Sequence, residues 1–270
     1  MQTIKELYRE FTSFEASLFR YSFAFSLLLA LAPALTIFAY LFEYAYLDIN
    51  ILIDFISKIL PNELIVPYVD FILAKKFTNY ISLIVTIGVA FWFASRSIYS
   101  LMLINANHED IDLPKWSIRI LSIFVFIFIA ILIVIIIFIN TKLSAYLPLV
   151  ASGGMFILFY LLYRSLSFYK KDLMYGVMGG LFATLGILVV AYLFLGIVNH
   201  FTSYTTVYGP LASIVVLTLA LYVISSIIYF GYCLNVVFDE HKFKGYKYSV
   251  YSNLCIKLNN KFMKNKRKLM

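Results

Sequence analysis

The chain has 270 residues, of which 63% are hydrophobic and only 13% charged, with a mean hydropathy of +0.90 and a formal charge of +8. That balance excludes an ordinary soluble domain, which carries about twice the charge. Two cysteines, Cys233 and Cys255, offer neither a disulfide framework nor a metal site.

Six apolar runs organise the sequence, over residues 18–42, 80–104, 118–139, 146–163, 174–198 and 209–238. Each is close to the roughly 20 residues that a helix needs to cross a bilayer core about 30 Å thick. The predicted fold is an all-α polytopic membrane protein with six transmembrane helices, forming one domain over residues 1–245, followed by a basic tail at 246–270. The first run follows Lys5, Glu6, Arg9, Glu10 and Glu15 and has no small-residue cleavage pattern, so it reads as a retained span. Pro33 falls in its middle, where the missing N–H predicts a kink.

Between the first two spans, Ile49, Leu52, Ile53, Phe55, Ile56, Ile59 and Leu60 recur at near-helical spacing, and Pro61 and Pro67 then interrupt. An amphipathic helical hairpin over residues 48–79, lying on or dipping into the outer leaflet, is expected.

Arg96 is a cation inside the second run, and it reads two ways. It is either a contact for an anionic headgroup or substrate, or a snorkelling side chain about four residues, roughly 6 Å, from the span's cytoplasmic end. Arg96, Ser100, Leu103 and Asn107 share a stripe expected to face protein or water, and Asn105 lies beside them. His108, Glu109, Asp110 and Asp112 follow, but adjacent loop positions cannot by themselves close a metal site, so no metal is expected. The runs hold no paired carboxylates, so the buried acid of an ion-driven transporter is not expected either.

The third run is apolar without a break from Ile123 to Ile139, which fits a helix and not the alternating strand of an outer-membrane barrel. In the fifth, Gly176, Gly179, Gly180 and Gly186 supply a small-residue packing face, with Gly176 and Gly180 four apart. Asn199 and His200 close it as an ordinary solvated loop. The tail gathers Lys257, Lys261, Lys264, Lys266, Arg267 and Lys268 directly after the last span, a placement that suits anionic lipid headgroups and not nucleic acid. With the N-terminus inside, seventeen Lys and Arg fall on the cytoplasmic side and four on the other, which predicts cytoplasmic termini. No P-loop, G-x-S-x-G or H-E-x-x-H pattern occurs, so no enzyme, ribonuclease included, and no cofactor is expected.

Three segments resemble the YihY/BrkB family of bacterial inner-membrane proteins, formerly labelled ribonuclease BN. They are Phe25-Ser26-Leu27-Leu28 with Ala32-Pro33, then Ser97-Ile98-Tyr99-Ser100-Leu101 with Asn105 or Asn107, then Tyr208-Gly209-Pro210-Leu211-Ala212 with Gly231-Tyr232-Cys233-Leu234-Asn235. Where the family commonly has Gly-Ala-Glu, this chain has Gly231-Tyr232-Cys233, so no role of that acid passes to Cys233. The resemblance implies a multi-pass protein of the bacterial cytoplasmic membrane that serves the envelope. The expected function is transport or export of a lipid-like amphiphile or small solute. Arg96, Ser100, Asn105, Asn107 and Asn235 would bind substrate, Pro33, Gly209 and Pro210 would allow conformational change, and Gly176 and Gly180 would pack helices. The alternative is a non-transporting membrane scaffold for envelope assembly.

Overall fold

The computed structural model describes residues 2–44, 80–111, 113–142, 147–200, 210–239, 248–249 and 253. Seven helices account for almost all of them: α1 (Gln2–Phe11), α2 (Phe14–Tyr44), α3 (Tyr80–His108), α4 (Lys115–Lys142), α5 (Leu147–Leu166), α6 (Val177–His200) and α7 (Pro210–Asp239). Among the described residues, three helical stretches are long and apolar enough to cross a membrane, Ile84–His108, Lys115–Ile133 and Leu217–Asp239. Ala151–Leu166 and Val177–Leu193 are apolar but shorter. The hairpin expected over 48–79, Gly209, and the tail beyond residue 253 lie outside the described residues.

Helix α2 runs through Pro33 as one continuous element. Pro210 is the first residue of α7, where its missing N–H costs nothing and its fixed φ suits the first turn. Helix α6 begins at Val177, later than the expected 174, because Gly176 adopts φ 95° and ends a turn. A side chain there would be strained, and its Cβ would also lie 3.1 Å from the Tyr160 carbonyl. The amphipathic helix α1 was not expected. Ser13 separates it from α2, and its hydroxyl accepts the Ala16 N–H at 3.1 Å as an N-cap.

The polarity of α4 is inverted relative to a helix of a soluble protein. Ser117 and Ser122 are buried along with Ile118, Leu121, Val125 and Ile129, while Trp116, Ile120, Phe124, Phe128, Ile131 and Ile135 form an exposed stripe at helical spacing. Phe124 is 64% exposed and Ser122 fully buried. Water would penalise that arrangement, whereas hydrocarbon rewards it, because lipid solvates Phe as well as a protein core does and cannot satisfy a hydroxyl. The same inversion places Phe14, Leu18 and Tyr21 outward on α2, and Ser95 and Ser97 inward on α3.

The chain divides into two compact units, residues 1–22, 95–187 and 226–270 in one, and 23–94 and 188–225 in the other. In the first unit, close approach of backbones replaces bulky interdigitation. A Cβ added at Gly231 on α7 would fall 2.5 Å from the Tyr163 hydroxyl and 2.8 Å from the Gly179 carbonyl, and one at Gly179 on α6 would collide with the Gly231 carbonyl and the Asn235 amide. An aromatic cluster extends the packing, with Phe230 edge-on to Phe11 at 5.3 Å and tilted against Phe182 at 4.6 Å, and Tyr229 against Phe19 at 5.1 Å. In the second unit, Phe23, Ala24, Ser26 and Ser225 are buried and Ile81, Ile84, Val85 and Trp92 are exposed.

The Gly231→Ala variant is expected to lose about 1–3 kcal/mol of stability through overpacking. Gly153→Ala, whose Cβ meets nothing within 4 Å, should hold or gain stability. Thermal unfolding of both variants in nanodiscs checks the pair.

Candidate functional site

A buried polar network occupies the first unit, and the end of α3 begins it. Helix α3 terminates in a Schellman turn, in which the Ile111 N–H reaches the Ala106 carbonyl at 2.9 Å and the Asp110 N–H the Asn107 carbonyl at 3.3 Å. Asp110 takes the left-handed position at φ 50°, which aspartate tolerates better than most side chains. This turn places Glu109 in the interior at 5% exposure.

There its carboxylate accepts the Ser167 hydroxyl at 2.5 Å and the Phe168 N–H at 2.8 Å, and it forms an ion pair with the Lys171 ammonium at 3.5 Å. Lys171 also pairs with Asp239, the last residue of α7, at 2.7 Å. Both Lys171 and Glu109 have side chains only 1% exposed. Three charges, two negative and one positive, are thus held in a dry environment, where each unpaired ion would cost several kcal/mol. The Lys171 ammonium also lies 5.3 Å from the Tyr175 ring centre, within cation–π reach.

The 167–176 segment owes its conformation to this network. Arg164 on α5 donates to the Asp172 carbonyl at 2.8 Å and the Lys171 carbonyl at 3.1 Å, and the Tyr160 hydroxyl donates to the Leu173 carbonyl at 3.0 Å. A short antiparallel bridge joins Tyr169 to Tyr248, with the Ser249 N–H donating to the Phe168 carbonyl at 2.8 Å. Burial, and then Tyr248 beside it, hold the Tyr169 hydroxyl above the ordinary tyrosine range.

Amides and hydroxyls lock the adjoining helices. The Asn105 side chain donates to the Leu166 carbonyl at 3.0 Å, satisfying an end carbonyl of α5, and accepts the Tyr232 hydroxyl at 2.9 Å. Asn235 accepts the Gly179 N–H at 2.9 Å, and Tyr163 donates to the Ile228 carbonyl at 2.9 Å. The Asn235 Nδ2 is buried with no hydrogen-bond partner among the described residues.

Of the residues expected to bind substrate, Asn105 and Asn235 are buried as interhelical links, whereas Arg96 and Asn107 are exposed. The Ser100 hydroxyl donates to the Arg96 carbonyl one turn back at 3.1 Å. Among the described residues, no hydrogen bond or ion pair joins Arg96 or Asn107 to Asn105 or Asn235. On α4 the Arg119 guanidinium lies 5.5 Å from the Tyr99 ring centre, within cation–π reach. Gly180 packs on the Tyr160 backbone, where a Cβ would stand 3.3 Å from its nitrogen.

Glu109 and Asp239, both just beyond the ends of the expected runs, are buried. Glu109 reads as a loop residue in sequence, and only the Schellman turn aims it inward. Its partner Lys171 counts in sequence as a solvated loop cation. The Ser-Phe-Tyr-Lys-Lys stretch at 167–171, polar just beyond an apolar run, was the available signal.

Inverted helix polarity around a buried, hydrogen-bonded polar network defines a helical membrane protein. This chain belongs to the family described as Virulence factor BrkB, whose family model matches residues 7–249. No curated protein and no solved structure matches.

Lys171→Met strands two buried carboxylates and should cost about 3–5 kcal/mol. Adding Glu109→Gln and Asp239→Asn should restore much of that loss. Denaturant midpoints of the single and triple variants test the expectation, and equal midpoints for wild type and Lys171→Met would contradict a buried triad.

Proposed function

We propose that this protein crosses the bacterial cytoplasmic membrane six times, with both termini inside, and moves an anionic amphiphile or small solute in maintaining the envelope. The observation that carries the reading is where the ionisable groups sit. A membrane protein has no hydration to offer a buried charge, so intramembrane and membrane-edge ions are retained mainly where they act. Here Glu109, Lys171 and Asp239 are buried together, and a second group has Arg96 exposed on α3 and the Arg119 guanidinium of α4 5.5 Å from the Tyr99 ring centre.

The two groups suit different parts of a transport cycle. An anionic headgroup at the exposed Arg96 accepts hydrogen bonds from its planar guanidinium fork. The triad ties the end of α3, the 167–176 segment and the end of α7, so any opening of that end breaks the Lys171 pairs. A cycle then has two states separated by the cost of separating those charges. No catalytic step enters this reading.

Native mass spectrometry of the protein released from nanodiscs tests it directly, wild type beside Arg96→Ala. A lipid or solute retained by wild type and lost from the variant, at equal membrane levels, is the expected result. Identical spectra, with a protein partner attached to both, would overturn it in favour of the scaffold. The topology has its own check: alkaline phosphatase fused after Lys142 should be active, and fused after Lys171 inactive.

A further inference from the structure

Helix α1 distributes its side chains in a fixed order around its axis. At 100° per residue, Leu7 and Phe11 form one sector, Ile4 and Tyr8 the next, and Lys5 and Arg9 the one beyond, while Glu6 and Glu10 fall on the far side of Leu7. The protein uses only one flank of this arrangement. Phe11 packs against Phe230 and Tyr229, the Arg20 guanidinium stacks over the Phe11 ring at 4.4 Å, and Glu10 meets His108 at 3.2 Å.

The other flank faces outward. Ile4 and Tyr8 are each 71% exposed, and Lys5 and Arg9 beside them are exposed too. Apolar and basic side chains are therefore adjacent on the free surface, with Glu10 directed toward the protein and Glu6 exposed on the side of the helix opposite Tyr8. The same outward character continues into α2, where Phe14 is 80% and Leu18 60% exposed. Those residues belong to a helix whose surface is made for lipid, so α1 starts at the level where headgroups lie.

We propose that α1 is an interfacial anchor that binds the surface of an anionic bilayer, with Ile4 and Tyr8 inserted at the acyl boundary and Lys5 and Arg9 on lipid phosphates. The chemistry fits this partner: a short basic amphipathic helix lies in the interface plane, and its binding strengthens with anionic lipid. The role is separate from the tail, and it depends on the membrane location but not on transport. Because Glu10 and Phe11 hold α1 to His108 and α7, the anchor also fixes how deep the buried network sits relative to the headgroups.

Site-directed spin labelling of the full chain in nanodiscs tests this. Cys255→Ser removes the tail thiol, and Cys233 stays because it is buried, with the protein lacking an introduced cysteine as the blank. Labels at Tyr8→Cys and, separately, Ile4→Cys should be severalfold more accessible to oxygen than to a soluble nickel chelate in phosphatidylglycerol-containing discs. A label at Glu6→Cys should show the reverse. Adding Lys5→Glu and Arg9→Glu should abolish the shielding at residue 8, whereas truncating the tail after Asn253 should leave it. Full chelate access at residues 4 and 8 in anionic discs overturns the proposal, as does lipid-independent dipolar broadening between labels, which would mean that a second copy covers this face. Hydrogen exchange of α1 in the unmodified protein is the independent check: slower exchange in anionic than in zwitterionic discs supports the anchor, and equal exchange opposes it.

Discussion

Lys171 is the side chain on which the arrangement of the first unit most depends. Its ammonium stands between the Glu109 carboxylate and the Asp239 carboxylate, and it connects a helix end, a connecting segment and a second helix end. A buried ion pair adds little net stability over apolar packing, but a broken one is expensive. That asymmetry makes the contact a specifier: alternative dockings of α3, the 167–176 segment and α7 leave a bare charge in a dry place. The surrounding donors complete the selection, since Ser167 and the Phe168 N–H occupy Glu109 positions that lysine alone cannot fill.

Such specification matters more in lipid than in water. Lipid tails are as apolar as Leu and Phe, so apolar side chains gain little by leaving them, and helices associate through close packing and interhelical hydrogen bonds. This protein uses both means at one joint. Gly179 and Gly231 bring α6 and α7 into backbone contact, and Asn235 and Tyr163 then bond to peptide groups exposed by that approach. The large side chains are left outside: Phe124 and Phe128 on α4 look outward while Ser117 and Ser122 look in.

The two charged groups have different standing. The triad is internally matched in hydrogen bonds and closes one end of the unit. Arg96 is exposed on α3, and the Arg119 guanidinium of α4 lies beside the Tyr99 ring, so this group is open where the triad is closed. An anchor at α1 would tie both to the bilayer surface, since α1 touches α7 through Phe11 and the end of α3 through Glu10.

Helix positions and membrane character were legible from composition and periodicity, because a span must be apolar over its whole length whatever it packs against. The expected runs coincide with α2 to α7 to within four residues at each end, and the late start of α6, at Gly176, turns on a backbone angle. The family could likewise be read from local motifs. Helix α1 was legible in principle, from Ile4, Leu7, Tyr8 and Phe11, but ten residues of mixed charge were overshadowed by the run that follows. The pairings within the polar network could not be read, although the polar 167–171 stretch marked one part of it. Glu109 and Lys171 look like solvated loop charges in one dimension, and Asn105 and Asn235 look like ligand contacts. What each does depends on which partner, 56 residues or more away in sequence, the packed helices bring within 3.5 Å. Hydropathy is a property of a segment, so the sequence alone determined where the helices lie and that lipid surrounds them. Charge pairing is a property of two segments at once, so only the tertiary structure decided which polar groups are buried and what they hold together.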